Sequence, residues 1–441
     1  MKLFLLSLLA KLRKSLFFKN MMVVMAGTGM AQVIGFLLSP VISRLFSPSD
    51  FGVSGSFAAV AGVIMAGVTL GYDTAIMLPK DKEHAFNIFS LSILCTVIIS
   101  FISLLWCLIA PATANGLMKT QGAWPLALLV LSIMVYGINS SCQAWSVRAK
   151  AFKAISASQL IRSVSANGSR LGFGLLKGGA QGLIISGILG DSLASINLVR
   201  VLLPDVAAMR GRVRWGLIKG LAKEYRDFPL YMASQNVINA LSGGLPIFLL
   251  AHFFGIAITG AYAFGITVIS TPMGLITGAL RQVLFQKASE CQHQGGSLAA
   301  LYVKVTAVLF AMALVPSAIL IIWAPQLFTW IFGSQWQLAG EFARSLIIWL
   351  AVVFCNVPAV LFARIIRIQR FVFFYDLGLL AARTSALVLG GLLLNAHQTV
   401  MLFALAGAAM NAFLIFYVGR AVMKKEGSIN LDSVRDLLIK E

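Results

Sequence analysis

Residues Ala85–Ala110 read AFNIFSLSILCTVIISFISLLWCLIA, 26 positions without a charge, entered through Lys80-Asp81-Lys82-Glu83-His84. A helix rises about 1.5 Å per residue and the bilayer hydrocarbon is about 30 Å thick, so a run of this length and uniformity spans a membrane. Working outward, about twelve such segments follow one another: Met21–Arg44, Phe51–Tyr72, Ala85–Ala110, Trp124–Cys142, Ile155–Leu175, Gly179–Leu203, Pro229–Phe253, Ile256–Leu280, Leu298–Trp323, Ala339–Ala363, Phe373–Leu394 and Gln398–Arg420. They leave little of the 441 residues for anything else. The expected fold class is an all-α membrane protein.

Charge fixes the orientation. Of 35 Lys and Arg residues, 26 lie in the even-numbered loops and the two tails, counting Arg420, and only Arg44, Lys119 and Lys177 lie in the odd ones. The excess marks the cytoplasmic side, which puts both termini there. A net charge of +20 raises the question of nucleic acid, but these cations sit in short loops beside spans, where the inside rule demands them, and no nucleic-acid partner is expected. Trp106, Trp124, Trp323, Trp330 and Trp336 gather near the outer ends and read as an interfacial belt. Cys95, Cys107, Cys142, Cys291 and Cys355 are scattered and read as packing residues. Met1–Phe18 has no small-residue cleavage site after its apolar run and reads as a basic helix on the inner leaflet.

The expected organisation is a basic interfacial segment over 1–20, a six-helix bundle over 21–203, a basic cytoplasmic linker over 204–228, a second six-helix bundle over 229–420 and a tail over 421–441. A faint repeat supports two halves: Thr28, Gln32, Gly35 and Ser39 in the first span, and Gln235, Asn239, Ser242 and Pro246 in the seventh, each open their half with a small or polar stripe. Parallel repeats of this kind are related by a pseudo-twofold along the membrane normal, with a cavity where the halves meet.

Charges inside the spans carry the chemistry, because hydrocarbon tolerates them only when they face the bundle interior or water. In the fifth span Gln159, Arg162, Ser163, Ala166 and Arg170 share one helical face. Arg383 stands near the middle of the eleventh span with Asp376 two turns away, and Asp191 near the middle of the sixth. A guanidinium offers a planar donor fork that stays charged when desolvated, which suits an anionic substrate. Arg162, Arg170 and Arg383 are therefore the candidate lumen cations, while Lys304, Arg344 and Arg200 lie near span ends and snorkel. Asp191, Asp376 and Asp73 are candidates for charge balance or for coupling to H+ or Na+; no other cofactor and no metal is expected. Enzyme chemistry is not expected. There is no Gly-Lys-Ser/Thr phosphate loop, His84, His252, His293 and His397 lack metal spacing, and no large acidic outer loop offers a glycosyltransferase or polymerase its carboxylates.

Three blocks add a resemblance. Ser39-Pro-Val-Ile-Ser-Arg-Leu-Phe-Ser-Pro-Ser-Asp-Phe-Gly52 with Gly71-Tyr-Asp-Thr-Ala-Ile-Met-Leu-Pro-Lys80, then Gln282-Val-Leu-Phe-Gln-Lys-Ala-Ser-Glu290, then Ala324-Pro-Gln-Leu-Phe-Thr-Trp-Ile-Phe-Gly-Ser-Gln-Trp-Gln-Leu-Ala-Gly340 are similar, in order, to turns of the Wzx-type O-antigen flippases. These form the polysaccharide-transporter branch of the multidrug/oligosaccharidyl-lipid/polysaccharide (MOP) superfamily. The resemblance implies a MATE-like fold in a bacterial inner membrane and the flipping of undecaprenyl-pyrophosphate-linked oligosaccharide for O-antigen, capsule or exopolysaccharide. It also implies membrane lipids, a glycan polymerase and a chain-length regulator as partners. On this reading Arg162, Arg170 and Arg383 hold pyrophosphate or acidic sugar, while Gln32, Gln159, Gln235 and Asn239 meet hydroxyls. The alternatives are a drug/cation antiporter or lipid II flippase of the same superfamily and, from another class, a membrane-embedded glycan polymerase or glycosyltransferase.

Overall fold

Helix boundaries follow local chemistry in the computed structural model, which describes residues 16–293, 297–366 and 368–438. The interfacial segment expected over 1–20 lies outside these up to residue 15. The first unit, Met1–Ala251, contains α1 (Leu16–Leu45), α2 (Pro48–Gly67), α3 (Tyr72–Ala75), α4 (Lys82–Ile109), α5 (Pro111–Met118), α6 (Trp124–Arg148), α7 (Phe152–Leu175), α8 (Gly179–Met209), α9 (Trp215–Glu224) and most of α10 (Ser234–Phe253). Ser47 starts α2 with a reciprocal box: its amide donates to Asp50 Oδ2 at 2.8 Å and its hydroxyl accepts from the Asp50 amide at 3.2 Å, with Pro48 in the first turn. Asp81 starts α4 by accepting the His84 amide at 3.1 Å. Between them Gly71 takes φ +76°, a conformation that costs a side-chain-bearing residue, and lets the chain turn into α3.

Eleven helical segments among the described residues are long and apolar enough to cross a membrane. The expected fifth span is not one of them. It exists as α7, 24 residues long, but Lys153, Arg162 and Arg170 and a run of serines make it too polar to qualify. Such a helix is sheltered by neighbours, and α7 packs chiefly along α1 and α8. Gly190 of α8 permits that closeness: a Cβ there would stand 2.8 Å from the Arg162 carbonyl oxygen. The outward faces of the apolar helices carry large exposed side chains, such as Phe101, Leu108 and Ile109 on α4. Lipid covers such faces, and the chain is a multi-pass membrane protein.

One expected segment of this unit gains detail. The basic segment over 204–228, read as a linker, begins inside α8 and continues as α9, whose Ile218 and Leu221 are buried in a core with Phe86 and Trp145. Amphipathic spacing, not looseness, decides that segment. At its end Phe228–Ala233 winds as a π-helical turn before α10.

The second unit, His252–Glu441, contains α11 (Ile256–His293), α12 (Leu298–Phe332), α13 (Gln337–Cys355), α14 (Val357–Ile365), α15 (Gln369–Leu393) and α16 (Ala396–Leu438). The tenth span is interrupted: Asn356 separates α13 from α14, and Pro358 restarts the helix. The Asn356 side chain donates to Asn411 Oδ1 of α16 at 2.7 Å, tying the break to its neighbour. Trp336 is not part of an interfacial belt. It is fully buried, its ring 4.0 Å from that of Phe264, whereas Trp323 and Trp330 are exposed. Cys95, Cys107, Cys142 and Cys355 are free and buried, as packing residues are.

Candidate functional site

Polar side chains on α7 face its two chief neighbours, and the packing explains each. Toward α1, the Ser163 hydroxyl donates to the Ala31 carbonyl at 2.5 Å, Asn167 donates back to the Ser163 carbonyl at 2.8 Å, and Arg170 Nη1 reaches Asn167 Oδ1 at 3.4 Å. Toward α8, Arg162 Nε pairs with Asp191 Oδ1 at 2.5 Å. The rest of Arg162 stays open, with 52% of its side chain exposed. A small pocket of about 10 Å³ lies beside it, bounded by Asn139, Gln143, Ser158 and Gln159, which is room for one water.

Asp191 thus balances Arg162, and Arg170 has no carboxylate partner among the described residues. Two buried polar atoms in the helices lining this seam make no hydrogen bond: Arg170 Nε and Gln32 Oε1 of α1. Buried groups of this kind ordinarily find protein or water partners.

A larger cavity of about 220 Å³ lies in the same unit, lined by Thr69, Asp73, Thr74, Tyr136, Ser140 and Asn236. Both oxygens of Asp73 are held, Oδ1 by the Thr69 hydroxyl at 2.9 Å and Oδ2 by the Ser140 hydroxyl at 2.6 Å. No cation pairs with Asp73 among the described residues. Tyr136 and Ser140 of α6 line this cavity, and Asn139 and Gln143 of the same helix line the small pocket beside Arg162. Tyr136, Asn139, Ser140 and Gln143 fall at i, i+3, i+4 and i+7 on α6. The periodicity that singles out α7 applies here too, but an uncharged stripe draws less notice than an arginine.

The structure does not gather every candidate. Arg383 and Asp376 belong to the second unit. The Arg383 guanidinium lies 4.2 Å from the Trp349 ring centre and 4.3 Å from that of Phe403, so aromatic faces hold the cation. Arg383 Nε, Trp349 Nε1 and the Tyr375 hydroxyl are buried without hydrogen-bond partners. Asp376 is exposed on α15. Gln235 and Asn239 are exposed on α10 in the first unit, one turn apart.

No group of three or more His, Cys, Asp or Glu side chains is placed to hold a metal among the described residues. What the first unit offers is a set of polar groups of mixed charge within the spans: two guanidiniums, two carboxylates, and hydroxyl and amide groups.

Comparison with known proteins places this architecture. A family described as "Polysaccharide biosynthesis protein" matches residues 41–340. No curated protein sequence matches the chain. Among solved structures, the lipid II flippase MurJ in an inward closed conformation is similar with a TM-score of 0.73 at 11% identity, over 93% of each chain. An inward-facing MATE multidrug-resistance transporter of the MOP superfamily is similar with a TM-score of 0.66 at 16% identity, over 92% of this chain and 99% of that one. A Vibrio cholerae MATE transporter gives 0.53 at 14% identity, over 95% and 98%. At these identities the likeness is one of fold: all-helical, of the MATE and MurJ type.

Proposed function

The chain belongs to the polysaccharide biosynthesis protein family, and from that premise we propose that it flips undecaprenyl-pyrophosphate-linked oligosaccharide repeat units across a bacterial inner membrane by alternating access. The cytoplasmic leaflet is the loading side, both termini lie in the cytoplasm, and the product feeds O-antigen, capsule or exopolysaccharide assembly. A glycan cannot enter hydrocarbon without losing the hydrogen bonds of its hydroxyls, and pyrophosphate fares worse. A hydrated path lined by fixed donors answers both.

The observation that carries this reading is α7, a helix of transmembrane length whose polar stripe holds one ion-paired and one unpaired arginine beside orphaned donors and acceptors. Arg162, Arg170 and, in the second unit, Arg383 are the cations for pyrophosphate or acidic sugar, and Gln32, Gln159, Gln235 and Asn239 meet hydroxyls. The chain itself makes and breaks no covalent bond; a polymerase and a chain-length regulator act on the delivered unit. Asp73 and Asp376 are the carboxylates available for coupling to H+ or Na+, while Asp191 balances the charge of Arg162. MurJ, by its description a lipid II flippase, supports the reading through a shared fold.

A second reading has its own observation. The unpaired Asp73 beside a 220 Å³ cavity suits a cationic cargo, as a drug/cation antiporter would need. One experiment separates the readings: delete the gene and follow lipid-linked repeat units. The flippase account expects units to accumulate on the inner face with none at the surface. Loss of a polymerase would leave single units at the surface, and loss of a drug exporter would leave the glycan untouched.

A further inference from the structure

Between α8 and α10 the chain seats one apolar face and leaves its charge outside. Ile218 and Leu221 are buried against the core beneath α9. The Tyr72 hydroxyl donates to the Ala222 carbonyl at 3.3 Å, and the Asn87 side chain clamps the preceding turn, donating to the Arg212 carbonyl at 3.2 Å and accepting from the Arg214 amide at 3.1 Å. This segment is therefore a fixed surface.

Arg210, Arg212, Arg214, Lys219, Lys223 and Arg226 are all exposed on it, against Glu224 and Asp227 as its only acids. Neighbouring elements neutralise little of that. Glu83 of α4 stands 3.9 Å from Arg212, and Asp205 is occupied by Lys82 at 2.7 Å and by Trp145 Nε1 at 3.1 Å. Among the cations stand exposed apolar groups, Val213 at 41% and Trp215 at 59%, with Lys219 Nζ 5.6 Å from the Trp215 ring centre. Water alone disfavours the indole, and hydrocarbon alone disfavours the cations. The headgroup layer accommodates both at once. The segment also follows the end of α8 and packs on the start of α4, at the end of the unit where the basic loops collect.

We infer that α9 and the turn before it form a docking surface for anionic phospholipid headgroups, holding this end of the first unit against a negatively charged leaflet. A basic side chain near such a surface contributes on the order of a fivefold preference, which fades within about a Debye length.

The test uses the full chain with Gly216→Cys, a position where an added Cβ meets no atom within 4 Å, labelled with bimane on a Cys291→Ser background. It is reconstituted in mixed phosphatidylcholine and phosphatidylglycerol bilayers in which one lipid or the other is brominated. The expected result is at least fivefold stronger quenching by brominated phosphatidylglycerol at equal mole fraction. That advantage should fall toward one in 0.5 M salt and in the Arg210→Gln/Arg212→Gln/Arg214→Gln/Lys219→Gln variant. Equal quenching by the two lipids in the unsubstituted surface overturns the inference. So does loss of the preference on adding inorganic phosphate at constant ionic strength, which would make this a site for free phosphate. Should the fourfold variant fail to fold, the salt series on the unsubstituted surface decides alone.

Discussion

Removing Arg162 and Asp191 singly and together separates cargo binding from charge balance. Two unit charges about 4 Å apart attract by about 1–4 kcal/mol at effective dielectric constants of 80 to 20. With 52% of the Arg162 side chain and 25% of that of Asp191 exposed, the pair belongs near the lower end, about 1 kcal/mol. A charge-assisted hydrogen bond from the guanidinium to pyrophosphate adds about 1.5–3 kcal/mol, or about 10- to 150-fold in transport. Arg162→Gln should therefore lower stability slightly and export at least tenfold. Asp191→Asn should leave export within about fivefold, because the freed guanidinium still meets its cargo. The double variant should export as poorly as Arg162→Gln. Export is read as surface glycan per molecule of inserted protein, and stability as a thermal unfolding midpoint in detergent. Recovery of export in the double variant would refute the reasoning, since Arg162 would then serve only to neutralise Asp191.

Other consequences follow from the packing. Gly190→Ala puts a methyl 2.8 Å from both the Arg162 carbonyl oxygen and Ala166 Cβ, so it should destabilise the α7–α8 contact by about 1–3 kcal/mol and lower the unfolding midpoint. Arg383→Ala removes a cation held between Trp349 and Phe403, costing about 1–2 kcal/mol of stability, and Arg383→Lys should recover only part of it because an ammonium does not stack. The Asp81 carboxyl is held below its ordinary value of 3.8, first by the His84 amide it accepts and then by the His84 ring. A lowered folded-state value means the cap is intact above that value and is lost as pH falls below it. The start of α4 should therefore become susceptible to an acid protease only at a pH below the ordinary carboxyl value of 3.8, and Asp81→Ala should be susceptible at neutral pH to trypsin.

The fold was legible because most spans announce themselves by apolar length and the inward loops by their charge, and Ala85–Ala110 needs nothing more. The candidate site was legible in part. Arg162, Arg170 and Asp191 stand out because charge in a span is costly, and two of them pair with each other. Tyr136, Ser140 and Thr69 around Asp73 did not stand out, since uncharged hydroxyl groups are frequent in apolar helices and their tie to Asp73 is made only by the tertiary packing. Trp336 looked interfacial because it lies at a span end, and only the tertiary placement of Phe264 shows that it is core. Residues 204–228 looked like a linker because their charge density hides the Ile218 and Leu221 pair that seats α9. Periodicity says which residues share a face; which neighbour covers that face is decided by the rest of the chain.

Translocation of a fluorescent undecaprenyl-pyrophosphate oligosaccharide by the purified protein in liposomes tests the central claim most directly. Appearance of the label in the opposite leaflet is followed by a membrane-impermeant quencher. The account predicts transfer by the wild-type chain, slowed at least tenfold by Arg162→Gln or Arg170→Gln, with uncharged glycolipid little affected by either. Transfer of the pyrophosphate-linked cargo at the wild-type rate by both variants would contradict it.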